Sequence, residues 1–499
     1  RRDAADIRRS RARRGVMSGA EGAKTQWLFP CLLISFCAIY LIYYPPTYGI
    51  DDEFNILQLS YSLSHGTIFP DHVGPGAGLT IEGHRVSKFS VFHAAMIAPL
   101  WKLDWRLGFL LAAGFFAAGA FVVRNWLRRE NLNGEWTALY FFLFGALYYT
   151  QSLVAAVPAA VAGLFGVSLL LRERPRPMLA GLMLGASVLL HPWMGPFAIV
   201  SAAVWLLENR RFDLVERAGQ LIAGALAPIA MLAVYNFATT GSPFRNDYTL
   251  LRHQNFFVGE HFVSYVTFYA ASLAIFPLAG WVVFSPKWAT GWTIPATSAV
   301  MFALASLYYY RDGFNLSSSA VQSTAAFLAG TIPGQRFLIP VSMLACIPAA
   351  RFLDAQSARM PQWICDWAKP LALAGFVCSF TLISAAHHAF LRANAMVQAA
   401  LCETIPANAP VAISDSVLKE IAPVCHVFEF AMPTLDTQVP SPGAFTAWLG
   451  APGSHAPDSW LQDRETKTFQ IRSWIWNRDL SVAAPRGESL PRGGSNNPT

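Results

Sequence analysis

Apolar stretches long enough to span a membrane recur along most of this chain. They lie at 27–45, 105–123, 136–152, 153–171, 177–191, 192–207, 219–237, 263–284, 291–310, 336–352 and 370–390. A helix of about 20 apolar residues covers the hydrocarbon core of a bilayer. The pattern therefore predicts an all-α integral membrane protein with about 11 transmembrane helices. Runs 136–152 and 153–171 abut, as do 177–191 and 192–207, which predicts tight hairpins. Pro158, Pro192 and Pro196 mark breaks or kinks. One more segment, 89–101, is apolar but short and contains His93 and Pro99. It either crosses or lies along the interface.

Charge decides between these. With the arginine-rich N-terminus inside and 89–101 on the outer surface, one consistent set of loops falls inside. They hold Arg124, Arg128 and Arg129; Arg172, Arg174 and Arg176; Arg210, Arg211 and Arg217; Lys287; and Arg351, Arg359 and Lys369. If 89–101 crossed, every cluster would flip outside, against the positive-inside rule. The outer regions are then 46–104, 238–262, 311–335 and the tail from about 391. The expected location is the plasma (inner) membrane, with the N-terminus cytoplasmic and the tail extracytoplasmic.

Composition agrees. Charged residues make up 13% of the 499 and hydrophobic ones 54%, whereas a soluble domain carries about 25% charge. The net charge of +7 sits in clusters between apolar runs, which fits membrane orientation better than a nucleic-acid face. Residues 1–26 read as a basic, disordered cytoplasmic segment. The chain begins without Met, so translation from Met17 and a basic extension are both open. Residues 27–390 form the transmembrane domain. The tail, 391–485, is polar and Pro-rich and is expected to form a small outer domain, with 486–499 disordered. Cys402 and Cys425 would sit in an oxidising compartment, either paired or as two thiols. The absence of an internal repeat weighs against many transporter folds.

The chemistry gathers in the first outer region. Asp51, Asp52 and Glu53 follow the first apolar run directly. Three adjacent carboxylates there are either a solvated acidic loop or a site, because mutual repulsion and partial desolvation make them costly. Lys88, in the stretch GHRVSKFS with His84 and Arg85, opens the interfacial segment. It is either a snorkelling anchor or a partner for a lipid-borne phosphate. Together these groups suit glycosyl transfer by inversion. A carboxylate takes the proton from an acceptor hydroxyl, and a fixed cation meets the charge growing on a departing phosphate.

These residues resemble the GT-C superfamily, most closely the protein O-mannosyltransferase and lipid A aminoarabinose transferase branch. Asp52-Glu53-Phe54 resembles the acidic motif that opens that family's large outer loop. Ser64-His-Gly66 resembles its small-residue turn, and Ser87-Lys88-Phe89 the start of its Lys segment. In the same order come Leu189-Leu-His-Pro192, then Tyr235-Asn236, Gly241-Ser-Pro-Phe244 and Tyr248, then Gly334-Gln-Arg-Phe-Leu-Ile-Pro340. The resemblance covers about 27–390. Two departures stand out: Ser90-Val91 replace a Pro-Pro pair, and Asn55 stands where some members carry Arg.

The resemblance implies a glycosyltransferase that moves a sugar from a polyprenyl-phosphate donor to a glycan, lipid or protein acceptor at the outer face. Asp52 is the expected general base, with Asp51 second and Glu53 orienting it or touching the acceptor. Lys88 is expected on the donor phosphate, helped by Arg85 and Arg336. His191, Asn236, Arg245 and Tyr248 are candidates for the substrate cleft. No cofactor or metal is expected, since His65, His72, His84 and His93 match no ligand spacing. The alternative is a polytopic transporter or flippase of a lipid-linked or polar substrate.

Overall fold

The computed structural model describes residues 26–70, 78–81, 84–87, 91–209, 213–245, 262–275, 277–308, 334–357, 359–406, 409–413, 429–431, 443–453, 458–461, 463–472 and 477–490. Helix α1 (Leu28–Ile42) leads through the Pro45-Pro46 turn into α2 (Asp51–Ser64). A hairpin of β1 (Gly78–Ile81) and β2 (His84–Ser87) follows, then the short α3 (Val91–Ile97) and two 3-10 turns at Ala98–Lys102 and Trp105–Gly108. Helix α3 is seven residues long, about 10 Å at 1.5 Å per residue. It is too short to cross a bilayer.

The bundle continues with α4 (Phe109–Arg129), α5 (Ala138–Phe141), α6 (Phe144–Tyr149), α7 (Ala156–Leu170), α8 (Pro177–Leu190), α9 (Gly195–Glu208) and α10 (Leu214–Thr240). Then come α11 (Phe262–Ile275), α12 (Pro286–Ala289), α13 (Thr293–Leu307), α14 (Ile339–Ser357) and α15 (Gln362–Thr404). Among the described residues, four helical stretches are long and apolar enough to cross a membrane: Trp105–Arg129, Leu214–Thr240, Gln335–Ser357 and Gln362–Thr404. Six shorter apolar helices accompany them.

Run 136–152 is not the single span that its hydropathy predicts. It is a 3-10 turn (Gly134–Thr137) followed by α5 and α6. At the break the Phe144 N–H reaches back only to the Phe142 carbonyl. The break seats Gly145 against Gln335: a Cβ there would stand 2.6 Å from the Gln335 Cβ.

Aromatic side chains tie the bundle core. Phe36 lies 5.1 Å from Phe116 and 5.3 Å from Phe380, and Phe141 lies 5.4 Å from Phe376, ring centre to ring centre. These contacts join α1, α4, α5 and α15. Helices α8 and α10 approach through small residues. A Cβ on Gly224 would stand 1.9 Å from the Met178 carbonyl oxygen, and one on Gly181 2.1 Å from that of Leu221.

The two ends of the bundle differ in character. One end collects basic groups. Arg128 donates to Gln26 (2.7 Å), Arg351 to Glu130 (2.7 Å), and Arg124 lies over the Phe29 ring. Glu208 caps α13, accepting from the Thr293 N–H and hydroxyl. The opposite end carries α2, α3 and the tail.

The tail corrects the all-α expectation. Strands β3 (Pro410–Ile413), β4 (Glu429–Ala431), β5 (Phe445–Gly450), β6 (Thr466–Arg472) and β7 (Asn477–Ala483) form a mixed sheet in the order β4-β3-β5-β7-β6. Strand β3 runs parallel to β4 and β5, while β5 and β6 pair antiparallel with β7. The residue pattern explains it: exposure alternates along β6, the period of a half-buried strand. The boundary expected at 390/391 falls inside α15. At 43 residues that helix is about 65 Å long, more than a bilayer core needs. Its distal end packs Ala393, Val397 and Leu401 against Val411, Phe445, Leu449 and Leu480 of the sheet. Residues 486–490 are also ordered, with Leu490 buried and its N–H donating to Glu465. Cys402 is disulfide-bonded; its partner, and with it Cys425, lies outside the described residues.

Candidate active site

The site is built around the start of α2. The chain leaves α1 through Pro45-Pro46 and buries Tyr48 completely. It then turns at Gly49, where Leu391 and Phe390 of α15 pack so closely that a Cβ would stand 2.9 Å from the Leu391 Cδ2. Ile50 is the extended N-cap residue of α2. Its hydrocarbon side chain cannot cap the helix, and the N–H groups of Gly49 and Ile50 at the helix entry need an acceptor.

Glu53 supplies it. One carboxylate oxygen accepts from the Gly49 N–H (2.7 Å) and the Ile50 N–H (3.2 Å). The other accepts from the Ser152 hydroxyl (2.8 Å) and the Leu153 N–H (2.7 Å). The residue is 3% exposed. Burial pushes its carboxyl above the ordinary value, and the four donors pull the other way. Both oxygens are used internally, so Glu53 joins two turns and is sealed from any acceptor.

Asp52, one residue earlier, points elsewhere. Its Oδ2 accepts from Nη1 of Arg336 at 2.7 Å, both side chains being about one-seventh exposed or less. Arg336 belongs to the 3-10 turn Gln335–Leu338 that starts α14. An ion pair 284 positions apart in the chain therefore closes the same end of the bundle. The guanidinium also lies 4.8 Å from the centre of the Phe337 ring. Phe337, Trp193 and Tyr308 cluster with ring centres 5.0–5.5 Å apart, placing an aromatic wall beside the ion pair.

His191 and His93 complete the neighbourhood. His191 ends α8, and its Nδ1 accepts from the Trp193 N–H at 3.2 Å. Burial lowers its pKa to about 4, with the Arg336 charge adding to the shift and Asp52 opposing it. His191 therefore shares the electrostatic field of the Asp52–Arg336 pair. His93, on α3 and 1% exposed, donates from Nε2 to the Leu153 carbonyl at 2.6 Å. Burial holds its pKa at about 4.

The structure thus brings together Asp52, Glu53, Arg336 and His191. Asn236 lies near the C-terminal end of α10, and Arg245 in the loop that follows it. Asn236 is buried and donates to the Pro243 carbonyl (3.2 Å); Arg245 is exposed, its N–H bonded to Ser242. Arg85 sits on β2 opposite Thr80. Lys88, Tyr248, His72 and the side chains of Asp51 and Arg85 lie outside the described residues. Sequence reasoning missed the Ser152–Leu153 turn. Its signal is the polar triplet Thr150-Gln151-Ser152 between two abutting apolar runs. It also missed Gln151, which faces His387 of α15 at 3.3 Å. Among the described residues, no three His, Cys, Asp or Glu side chains gather as a metal-ligand set.

No family model matches the chain, and no curated protein matches it in sequence. A solved structure matches in fold: the crystal structure of ArnT from Cupriavidus metallidurans in the apo state. The match covers 93% of this chain and 98% of ArnT, with a TM-score of 0.54 and 12% identity. At that identity the likeness is one of fold. It is a likeness of fold to the kind of protein that the sequence motifs resemble, and the apolar helices support a membrane location.

Proposed function

We propose that this protein is a membrane glycosyltransferase that moves a sugar from a polyprenyl-phosphate donor to an acceptor at the outer membrane face, with inversion. The observation that carries the reading is the Asp52–Arg336 pair, 2.7 Å apart, at the tail end of an ArnT-like helical fold. Fold likeness by itself does not give chemistry; the pair is what supports this reading.

Arg336 presents a planar fork of N–H donors that suits phosphate. A donor phosphate arriving beside it competes with Asp52 for that fork. As the phosphate takes over, Asp52 loses its counter-charge and becomes a better base. Asp52 then accepts the proton of the acceptor hydroxyl while that oxygen attacks the sugar's anomeric carbon. The bond from that carbon to the carrier phosphate breaks on the opposite side, which inverts the centre. Polyprenyl phosphate leaves, its charge held by Arg336 and Lys88. Asp51 is the second candidate base.

The same reading puts the basic end of the bundle in the cytoplasm and the tail outside, in the plasma (inner) membrane. The disulfide at Cys402 supports that side for the tail, since such bonds persist in oxidising compartments.

The test is release of polyprenyl phosphate by purified protein in a bilayer mimic, offered a panel of polyprenyl-phosphate sugars and acceptors. Wild type should release it and Asp52→Asn should not, while both bind donor. A wild type that neither turns over any donor nor binds one in a Lys88-dependent way sinks the proposal. The transporter alternative predicts instead that Asp52→Asn leaves function unchanged.

A further inference from the structure

Buried histidines inside helical bundles are most often packing residues. His93 differs in what its one described hydrogen bond holds. The acceptor is the Leu153 carbonyl, 2.6 Å from Nε2. A carbonyl only accepts, so Nε2 carries the hydrogen. The N–H of the same Leu153 donates to Glu53 at 2.7 Å. Leu153 is therefore gripped from both sides, by α3 through its carbonyl and by α2 through its amide. Its side chain is fully buried and packs with Ile97 of α3 against Gly108. Ser152 reinforces the turn: its hydroxyl donates to Glu53 and accepts from the Val154 N–H at 3.2 Å.

Glu53 in turn holds the Gly49 and Ile50 amides, the two residues that set the entry to α2. Asp52 lies between Ile50 and Glu53 in the chain. Its backbone is thus fixed on both sides by groups bonded to one carboxylate, and that carboxylate is fixed by the turn His93 holds. The chain of bonds runs His93, Leu153, Glu53, then the start of α2, and it ends at the carboxylate that meets Arg336 2.7 Å away.

We infer that His93 is a positioning residue for Asp52, acting through the Leu153 turn and Glu53 rather than on substrate. The inference rests on the transferase reading above, in which Asp52 is the base. Displacing a reacting group by about 1 Å costs on the order of 100-fold in rate, so a link of this kind shows in turnover before it shows in binding. An apolar residue of similar size would fill the space. It would leave the buried Leu153 carbonyl unsatisfied and the turn free to shift.

The experiment uses the full chain in nanodiscs, with His93→Leu and His93→Gln in wild-type and Asp52→Asn backgrounds. Polyprenyl-phosphate release gives kcat, and donor titration gives Kd. His93→Leu should lower kcat by about 10- to 100-fold and leave Kd within about threefold. Glutamine, which restores a side-chain N–H, should recover most of the rate. In the Asp52→Asn background the Leu substitution should cost little more, because residues acting as a unit are not additive. A His93→Leu enzyme with full kcat, a loss equal in both backgrounds, or a loss that lies in Kd alone overturns the inference.

Amide exchange over 49–54 and 150–155 separates this failure from failure of the transferase reading. If wild type releases no polyprenyl phosphate yet His93→Leu, and not His93→Gln, raises exchange in both stretches, the link stands and the reaction is misassigned. Unchanged exchange in both stretches overturns the link, whatever the protein catalyses.

Discussion

At the scale of single residues, the site turns on which carboxylate stays available. Two neighbours, Asp52 and Glu53, have opposite fates because α2 points them in different directions. Glu53 turns inward to four donors, and Asp52 turns toward Arg336. Asp52→Asn should therefore cut turnover by about 100- to 10,000-fold, the span of a lost general base, with donor Kd nearly unchanged. Arg336→Lys keeps the charge and loses the fork; donor titration should show weaker binding even if some turnover survives.

The histidines give a pH prediction. His93 and His191 are held at about 4 in the folded protein, through burial first and, for His191, the Arg336 charge second. The unfolded chain takes up those protons near 6.5. Between about pH 6.5 and 4 the unfolded state thus binds more protons. Stability is full above that window and falls as pH drops through it. Thermal unfolding in detergent should show that loss, and His93→Gln with His191→Gln should reduce it. A melting temperature that is constant from pH 7 to pH 4.5 in wild type contradicts the assignment. Much of this was legible in the sequence, because Asp52, Arg336 and His191 stand in recognisable order. The Leu153 contribution was not, since a backbone N–H and C=O leave no trace in residue type.

At the scale of elements, helix ends and helix contacts follow from a few side chains. Glu53 is the cap that α2 lacks at Ile50. Glu53→Ala orphans the buried donors of Gly49, Ile50, Ser152 and Leu153, each costing about 1–3 kcal/mol if left unsatisfied. Partial rewatering lowers the sum, and a net loss of about 3 kcal/mol or more should appear as a clear drop in melting temperature. Glu53→Gln should cost less, retaining one acceptor oxygen. Helices α8 and α10 depend on the absence of side chains: Gly181 and Gly185 form a small-xxx-small pair facing Leu221 and Pro228, and Gly224 faces Met178 in return. Gly224→Leu has to push α10 off the Met178 carbonyl, so it should lower expression and melting temperature while Gly219→Leu, with open space around it, should not.

Elements whose apolar run matches one helix were readable, such as α8 and α14. Those set by tertiary contact were not. Run 136–152 breaks where Gly145 meets Gln335, and nothing within the run announces that. The tail sheet was missed for another reason. Polar, Pro-rich composition masks short strands, even though β6 carries a visible alternation and β3 and β5 short apolar runs.

At the scale of the whole molecule, one asymmetry organises everything else. The helices alternate in direction along the chain, and Arg128 and Arg351 fall at one end with Gln26, Glu130, Glu208 and Asp354. Asp52, Arg336, His191 and the tail sheet fall at the other. Neither end is an accident of a single loop: reversing one crossing would carry each later cluster to the wrong side. The orientation proposed from charge is therefore testable at two points far apart in the chain. A background in which every cysteine but Cys402 and Cys425 is replaced accommodates single reporters at Arg174, on the basic end, and Arg245, which is exposed at the site end. With the proposed orientation, a membrane-impermeant maleimide applied to intact cells should label Arg245→Cys and spare Arg174→Cys, and disrupted membranes should label both. The converse pattern would put Asp52 on the cytoplasmic side, within reach of soluble nucleotide-linked sugars, and the argument for a lipid-borne donor would then lose its geometric basis. Labelling of both reporters in intact cells would mean that the alternation of crossings between residues 174 and 245 is wrong, although the Asp52–Arg336 pair itself would stand.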